Sequence, residues 1–262
     1  MTKSATRVAA DKVTFTQTEV TSAVAAKSPI ASPVFTGNVG INSASPSSGY
    51  MLHVGGSSGV HTKVKIEATT ATGQAELDLT ADPAGVSYLN LGDENSYNIG
   101  QLGYFHSDNS MRFRVNAAER MRIDSAGIVT KPNQPAFRVS NAGSGDYTTI
   151  GYMTFGTATL NTGTHYSTST GKFTAPIAGR YYLAFRALTR SVSHTNMWVG
   201  INVNGTALTQ TYHTHTNHSN ISAESIVSLS ANDYVQVYLG GGGLHSGGGH
   251  DHYTFFQGYL LG

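Results

Sequence analysis

The chain has 262 residues, of which 12% are charged, with 30 glycines, no cysteine and a formal net charge of +1. That composition excludes disulfides, a thiolate nucleophile and a thiolate metal site, and a charge so near zero gives no field to steer the protein onto nucleic acid or an anionic membrane. No apolar run approaches the roughly 20 residues that span a bilayer, and the opening MTKSATRVAADKV lacks the apolar core of a secretory signal, so the expectation is a β-rich protein made in a cytoplasm without membrane insertion.

In chain order, TFTQTEVTSAVAAKS from Thr14 to Ser28 has room for about three helical turns with Phe15, Val20, Ala23 and Val24 on one side. A helix that short does not stand alone, so residues 1–36 read as a helical or extended attachment and linker segment, with a disordered tail as the alternative. After Ser28, Pro29, Pro33 and Pro46 exclude a helix, and short β-prone runs are punctuated by Gly37, Gly40 and Gly49. The runs VKIEA, AELDLTA, SYLNLG, YNIGQLGYF and MRFRV then alternate apolar and polar residues, with turn signals at Asp82-Pro83 and Asp108-Asn109, which makes residues 37–130 one β-rich unit. Its acids Asp82, Asp93, Glu94 and Asp108 sit in turn-like text, as solvated turn residues do. TKPNQP, Thr130 to Pro135, is a stiff extended linker, and the last unit spans 131–262.

Two phrases in the first half resemble bacteriophage tail-fibre proteins. SPIASPVFTG is similar to a linker that recurs in them, followed by an opening phrase in GNVGINSASP and YMLHV; AERMRIDSAGIV, Ala118 to Val129, is similar to the phrase that closes their β-domains. The resemblance implies a trimeric fibre shaft joined to other virion proteins through the N-terminal segment, in a tail fibre or surface spike.

In the last unit, six antiparallel strands are expected at 180–188, 197–203, 207–212, 222–229, 234–239 and 253–261. Met197, Val199, Ile201 and Val203 alternate with Trp198, Gly200 and Asn202, the pattern of a half-buried strand. In the final strand Phe255, Tyr259 and Leu261 share one face while Phe256 and Leu260 share the other, so both faces need cover. Subunits meeting around a threefold axis supply the second cover; a loop laid over a monomer is the alternative. GKFTAPIAGRYY, within the stretch Leu160 to Leu188, together with VGINVNG, VSLSANDYVQVYL and FFQGYLL, resembles the globular head of the complement-q and TNF-like superfamily. That resemblance implies a ten-stranded jelly-roll sandwich, a homotrimer and a binding head on a stalk, and with it an all-β fold for the chain.

Strand direction then places the short turns Asn204-Gly205 and SAND at one end, and the three connections TRSVSHTN, HTHTNHSNI and GGGGLHSGGGHDH together at the other. The distal loops so assembled hold His194, His213, His215, His218, His245, His250 and His252, with Tyr212 and Tyr253 beside them, as candidate receptor-binding residues. Two His-x-His pairs, His213 with His215 and His250 with His252, have the spacing that lets both imidazoles of an extended segment reach one ion. A transition-metal ion on or near the threefold axis and plain polar recognition therefore both stay open. No pair of carboxylates is placed to flank a cleft and no metalloprotease or serine-nucleophile motif is present, so no enzymatic activity and no certain cofactor is expected. The resulting expectation is a phage fibre or spike that adheres to a host cell-surface glycan or protein; a structural virion component, capping or trimerising the fibre, is the alternative.

Overall fold

The computed structural model describes residues 39–41, 52–54, 64–68, 72–141, 146–191, 194–215, 217–245 and 252–262. The expected attachment segment 1–36, the Gly247–Gly249 tract and His250 lie outside the described residues. The chain divides into two compact units, residues 1–78 and 79–262.

In the first unit β1 (Val39–Ile41) and β2 (Leu52–Val54) pair in parallel, Val39 opposite Leu52. The second opens with an antiparallel sheet of β3 (Val86–Leu91), β4 (Gly100–Phe105), β5 (Ser110–Val115), β6 (Ala118–Ile123) and β7 (Val129–Thr130), in that order. Its turns use residues that accept a positive φ: Asn109 at 51°, Asn116 at 51° and Gly127 at 80°. One expectation fails in this half. VKIEA and AELDLTA carry strand alternation, yet residues 64–68 and 75–81 form no ladder, and Val64, Ile66, Leu77 and Leu79 are exposed. Alternation supplies the side-chain pattern of a strand, but a strand also needs a neighbouring backbone to exchange hydrogen bonds, and these two segments have none among the described residues.

The rest of the unit is a sandwich. Its strands are β8 (Ala136–Ser140), β9 (Gly151–Tyr152), β10 (Thr157–Asn161), β11 (Tyr166–Ser167), β12 (Lys172–Thr174), β13 (Gly179–Thr189), β14 (His194–Val203), β15 (Thr206–His215), β16 (Asn220–Leu229), β17 (Tyr234–Leu239), β18 (Leu244–His245) and β19 (Phe255–Leu260). One sheet runs β10-β8-β19-β13-β16, with β18 at the far end of β13; the other runs β11-β12-β17-β14-β15, with β9 on β17. Those two paths carry the ten strands of a jelly roll, and β9 and β18 are two-residue additions.

The core follows from period-two alternation. Met197, Val199 and Ile201 of β14, Val235, Val237 and Leu239 of β17, and Tyr181, Leu183, Phe185 and Ala187 of β13 all point inward and are buried. Phe137 of β8 packs on Phe173 of the opposite sheet at 4.5 Å between ring centroids and on Phe256 at 4.9 Å. The hairpin between β14 and β15 turns on Asn204 and Gly205 with φ of 50° and 82°, the tight geometry that their sequence signals. Pro135 accepts from the Leu260 amide and Arg180 donates its amide to Gly262, so the entry and exit of the sandwich lie together at the short-turn end.

Candidate recognition site

At the opposite end, three connections meet around the last residues of β13. His218 Nδ1 lies 2.6 Å from the Thr189 carbonyl oxygen, the Thr189 amide donates to Ser219 O at 2.8 Å, and Thr189 stands opposite Leu244 in the β13–β18 ladder. Arg190 donates its amide to Gly243 O at 3.0 Å, and Leu188 pairs with both Asn220 and His245. The segments before β14, before β16 and before β19 are thereby gathered at the end remote from Pro135 and Gly262.

The side chains there form one polar cluster. Asp146 accepts from Arg190 Nε at 3.1 Å and lies 3.0 Å from His245 Nδ1, so one carboxylate joins two connections. His218 faces His245 at 5.4 Å between rings, His245 faces Tyr253 at 5.5 Å, and Tyr253 meets His252 edge-on at 4.4 Å. Beneath this row Thr254 is buried and donates its hydroxyl to His245 O at 2.7 Å, which fixes the base of the last connection. His213 Nε2 lies 3.0 Å from Ser219 Oγ, and Ser191 donates to Asn217 Oδ1 at 2.8 Å.

Three residues expected in loops stand in these strands instead. The β14–β15 ladder continues to His194 opposite His215, past a register shift, so His194, His213 and His215 are strand residues, as Tyr212 was expected to be. Backbone pairing carries on there although the apolar alternation has stopped. His245 likewise stands in β18, paired with Leu188. Tyr212 is separated from the cluster, lying on the outer face of β15 beside Trp198 at 6.1 Å. His218, His245, His252 and Tyr253 come together; His250 and the side chains of His194 and His215 lie outside the described residues.

Two cluster members escaped the sequence reading. Asp146 and Arg190 are rare charges in this half of the chain, and that rarity was the signal available; their contact joins residues 44 apart, which no local pattern encodes. Among the described residues, no group of three or more His, Asp or Glu side chains converges in an arrangement that could hold a metal ion.

Residues 136–261 match the family model described as the C1q domain. This part of the chain is a C1q domain. Complement C1q tumor necrosis factor-related protein 3 of Mus musculus is 28% identical over 108 residues, and the Homo sapiens protein of the same name is 27% identical over the same length. The alignment takes in 41% of this chain and only 43% of each of these relatives. Among solved structures, the globular domain of zebrafish complement 1qA protein is 19% identical, with a TM-score of 0.38, covering 49% of this chain and 98% of that one. The C1q domain is an all-β sandwich, and its polar cluster lies at the end remote from Pro135 and Gly262.

Proposed function

We propose that this protein is a non-catalytic adhesion module, a C1q head that assembles with two copies of itself and binds a cell-surface receptor through the end remote from its linker. The observation that carries this reading is the row His218, His245, Tyr253 and His252 at that end, braced by Asp146 and Arg190, with His218 and His252 exposed and His245 and Tyr253 half-buried. Hydrogen-bonding groups on short connections of a rigid sandwich suit recognition. Threefold repetition adds avidity to sites that are weak singly.

The setting on a bacteriophage fibre, with a glycan or protein of the host surface as receptor, is supported by SPIASPVFTG and AERMRIDSAGIV alone; the curated relatives are animal proteins. The test uses the full-length chain and the double variant His218→Ala, His245→Ala. Loss of binding to receptor-bearing cells with the oligomer intact is the expected result. Unchanged binding sends recognition elsewhere on the molecule, and a wild-type chain that binds no permissive cell favours a structural cap.

A further inference from the structure

The outer face of the β11-β12-β17-β14-β15 sheet carries a line of aromatic rings that the adhesion reading does not use. Tyr152 of β9 meets Tyr238 of β17 edge-on at 5.1 Å between centroids; Tyr238 stacks on Trp198 of β14 at 5.1 Å and 15°; Trp198 continues to Tyr212 of β15 at 6.1 Å. The line thus crosses four adjacent strands. Its ends are its most open members, Tyr212 at 67% and Tyr152 at 44% exposure.

The backbone beneath is cleared for it. A Cβ at Gly240 would lie 1.7 Å from Trp198 Cε2, so the indole rests where any other residue would put a side chain. At Gly200, between Tyr238 and Gln210 in the register, a Cβ would meet Thr209 O at 2.8 Å and the Gln210 side chain at 3.1 Å.

We propose that this strip binds a neutral glycan, its rings stacking on the C–H faces of pyranose residues. The case against a charged partner is compositional: among the strands of this sheet only β12 carries a charged residue, Lys172, and its ammonium is held over the Tyr234 ring at 3.7 Å. The other sheet differs, with Arg138, Arg180, Arg186 and Glu224 on its strands. A surface of aromatic rings, tyrosine hydroxyls and amides without charge complements a ligand that offers apolar ring faces and hydroxyls and no charge. A second observation points the same way. Asn202 is 8% exposed and gives its Nδ2 to Tyr152 Oη at 3.3 Å, while its Oδ1 has no partner. A buried acceptor left open costs stability, and because this oxygen is sealed from solvent a ligand hydroxyl fills it only where Tyr152 moves aside.

This proposal gives the adhesion reading a ligand class but places it on the flank of the head, so the two can fail separately. Trp198 is the only tryptophan in the chain, and its emission therefore reports on the strip alone. The full-length chain is titrated with cellohexaose, maltohexaose and mannohexaose. The expected result is a saturable change in Trp198 emission with at least one of them, weakened about tenfold in Tyr212→Ala with thermal midpoint and oligomeric state unchanged, and weakened likewise in Tyr152→Ala, whose loss of the Asn202 partner lowers the thermal midpoint. The His218→Ala, His245→Ala variant keeps that response. Silence with all three hexaoses in a protein that still binds cells overturns the strip and leaves the adhesion reading standing; a hexaose response in a protein that binds no cells does the reverse. A response confined to a polyanion such as heparin, or a changed oligomeric state in Tyr212→Ala, also overturns the proposal, the latter by making the strip a subunit contact.

Discussion

Asp233 ties the two short turns of the sandwich together. Its carboxylate accepts from Asn204 Nδ2 at 2.8 Å and from the Ser230 amide at 2.7 Å, and Asn204 Oδ1 accepts from the Tyr234 amide at 3.0 Å. The Asn204 side chain, and after it the Ser230 amide, favours the ionised form and holds the Asp233 carboxyl below the usual carboxylate range. A pKa lowered by folding stabilises the protein fully above the unfolded-state value, and the contribution fades as pH falls through the folded-state value. Asp233→Asn should therefore lower the thermal midpoint at about pH 6, with the gap to wild type closing by about pH 2.5. Midpoints at both pH values are the measurement; a gap of constant size would show that ionisation of Asp233 plays no part.

At the scale of the element, β19 leaves no room for a side chain at its inward glycine. Phe256, Gly258 and Leu260 face the core, and a Cβ at Gly258 would lie 2.8 Å from both Leu183 Cδ2 and Tyr182 O and 2.9 Å from Phe137 Cε1. A backbone oxygen cannot step aside, so Gly258→Val should cost about 3 kcal/mol in urea unfolding, whereas Gln257→Val on the outward side should cost far less. The strand itself was legible from its aromatic alternation; the need for glycine at 258 was not, because it arises from strands distant in sequence. The same division runs through the recognition end. Strand direction was enough to bring three connections to one end, since antiparallel neighbours alternate their ends. It was not enough to separate loop from strand at His194 and His213, where hydrogen bonding outlasts the apolar pattern, nor to seat Asp146 against His245, which depends on how β18 docks on β13. At VKIEA and AELDLTA the error ran the other way, pattern without a pairing partner among the described residues.

For the molecule as a whole, the outward face of the β10-β8-β19-β13-β16 sheet decides between a monomer and an assembly. Tyr259 is 47% and Ile226 62% exposed there, Tyr182 lies 5.6 Å from Tyr259 between centroids, and Arg138 stands over Phe255 at 4.5 Å. Tyr182 donates to Glu224 at 2.8 Å, and this bond, helped by burial, pushes its phenol above the usual range. Apolar and aromatic groups interleaved with charges of both signs, Arg138, Arg180 and Arg186 beside Glu224, suit contact with another copy of the same face around a threefold axis. None of these side chains enters the core, so assembly and folding separate cleanly. The double variant Tyr259→Arg, Ile226→Glu places charges where that contact would strip them of water, and should yield folded monomers in native mass spectrometry where the wild type gives trimers. A variant that remains trimeric would move the axis to another face, and a monomeric wild type would leave the second face of β19 simply solvated, removing the avidity on which the adhesion reading relies.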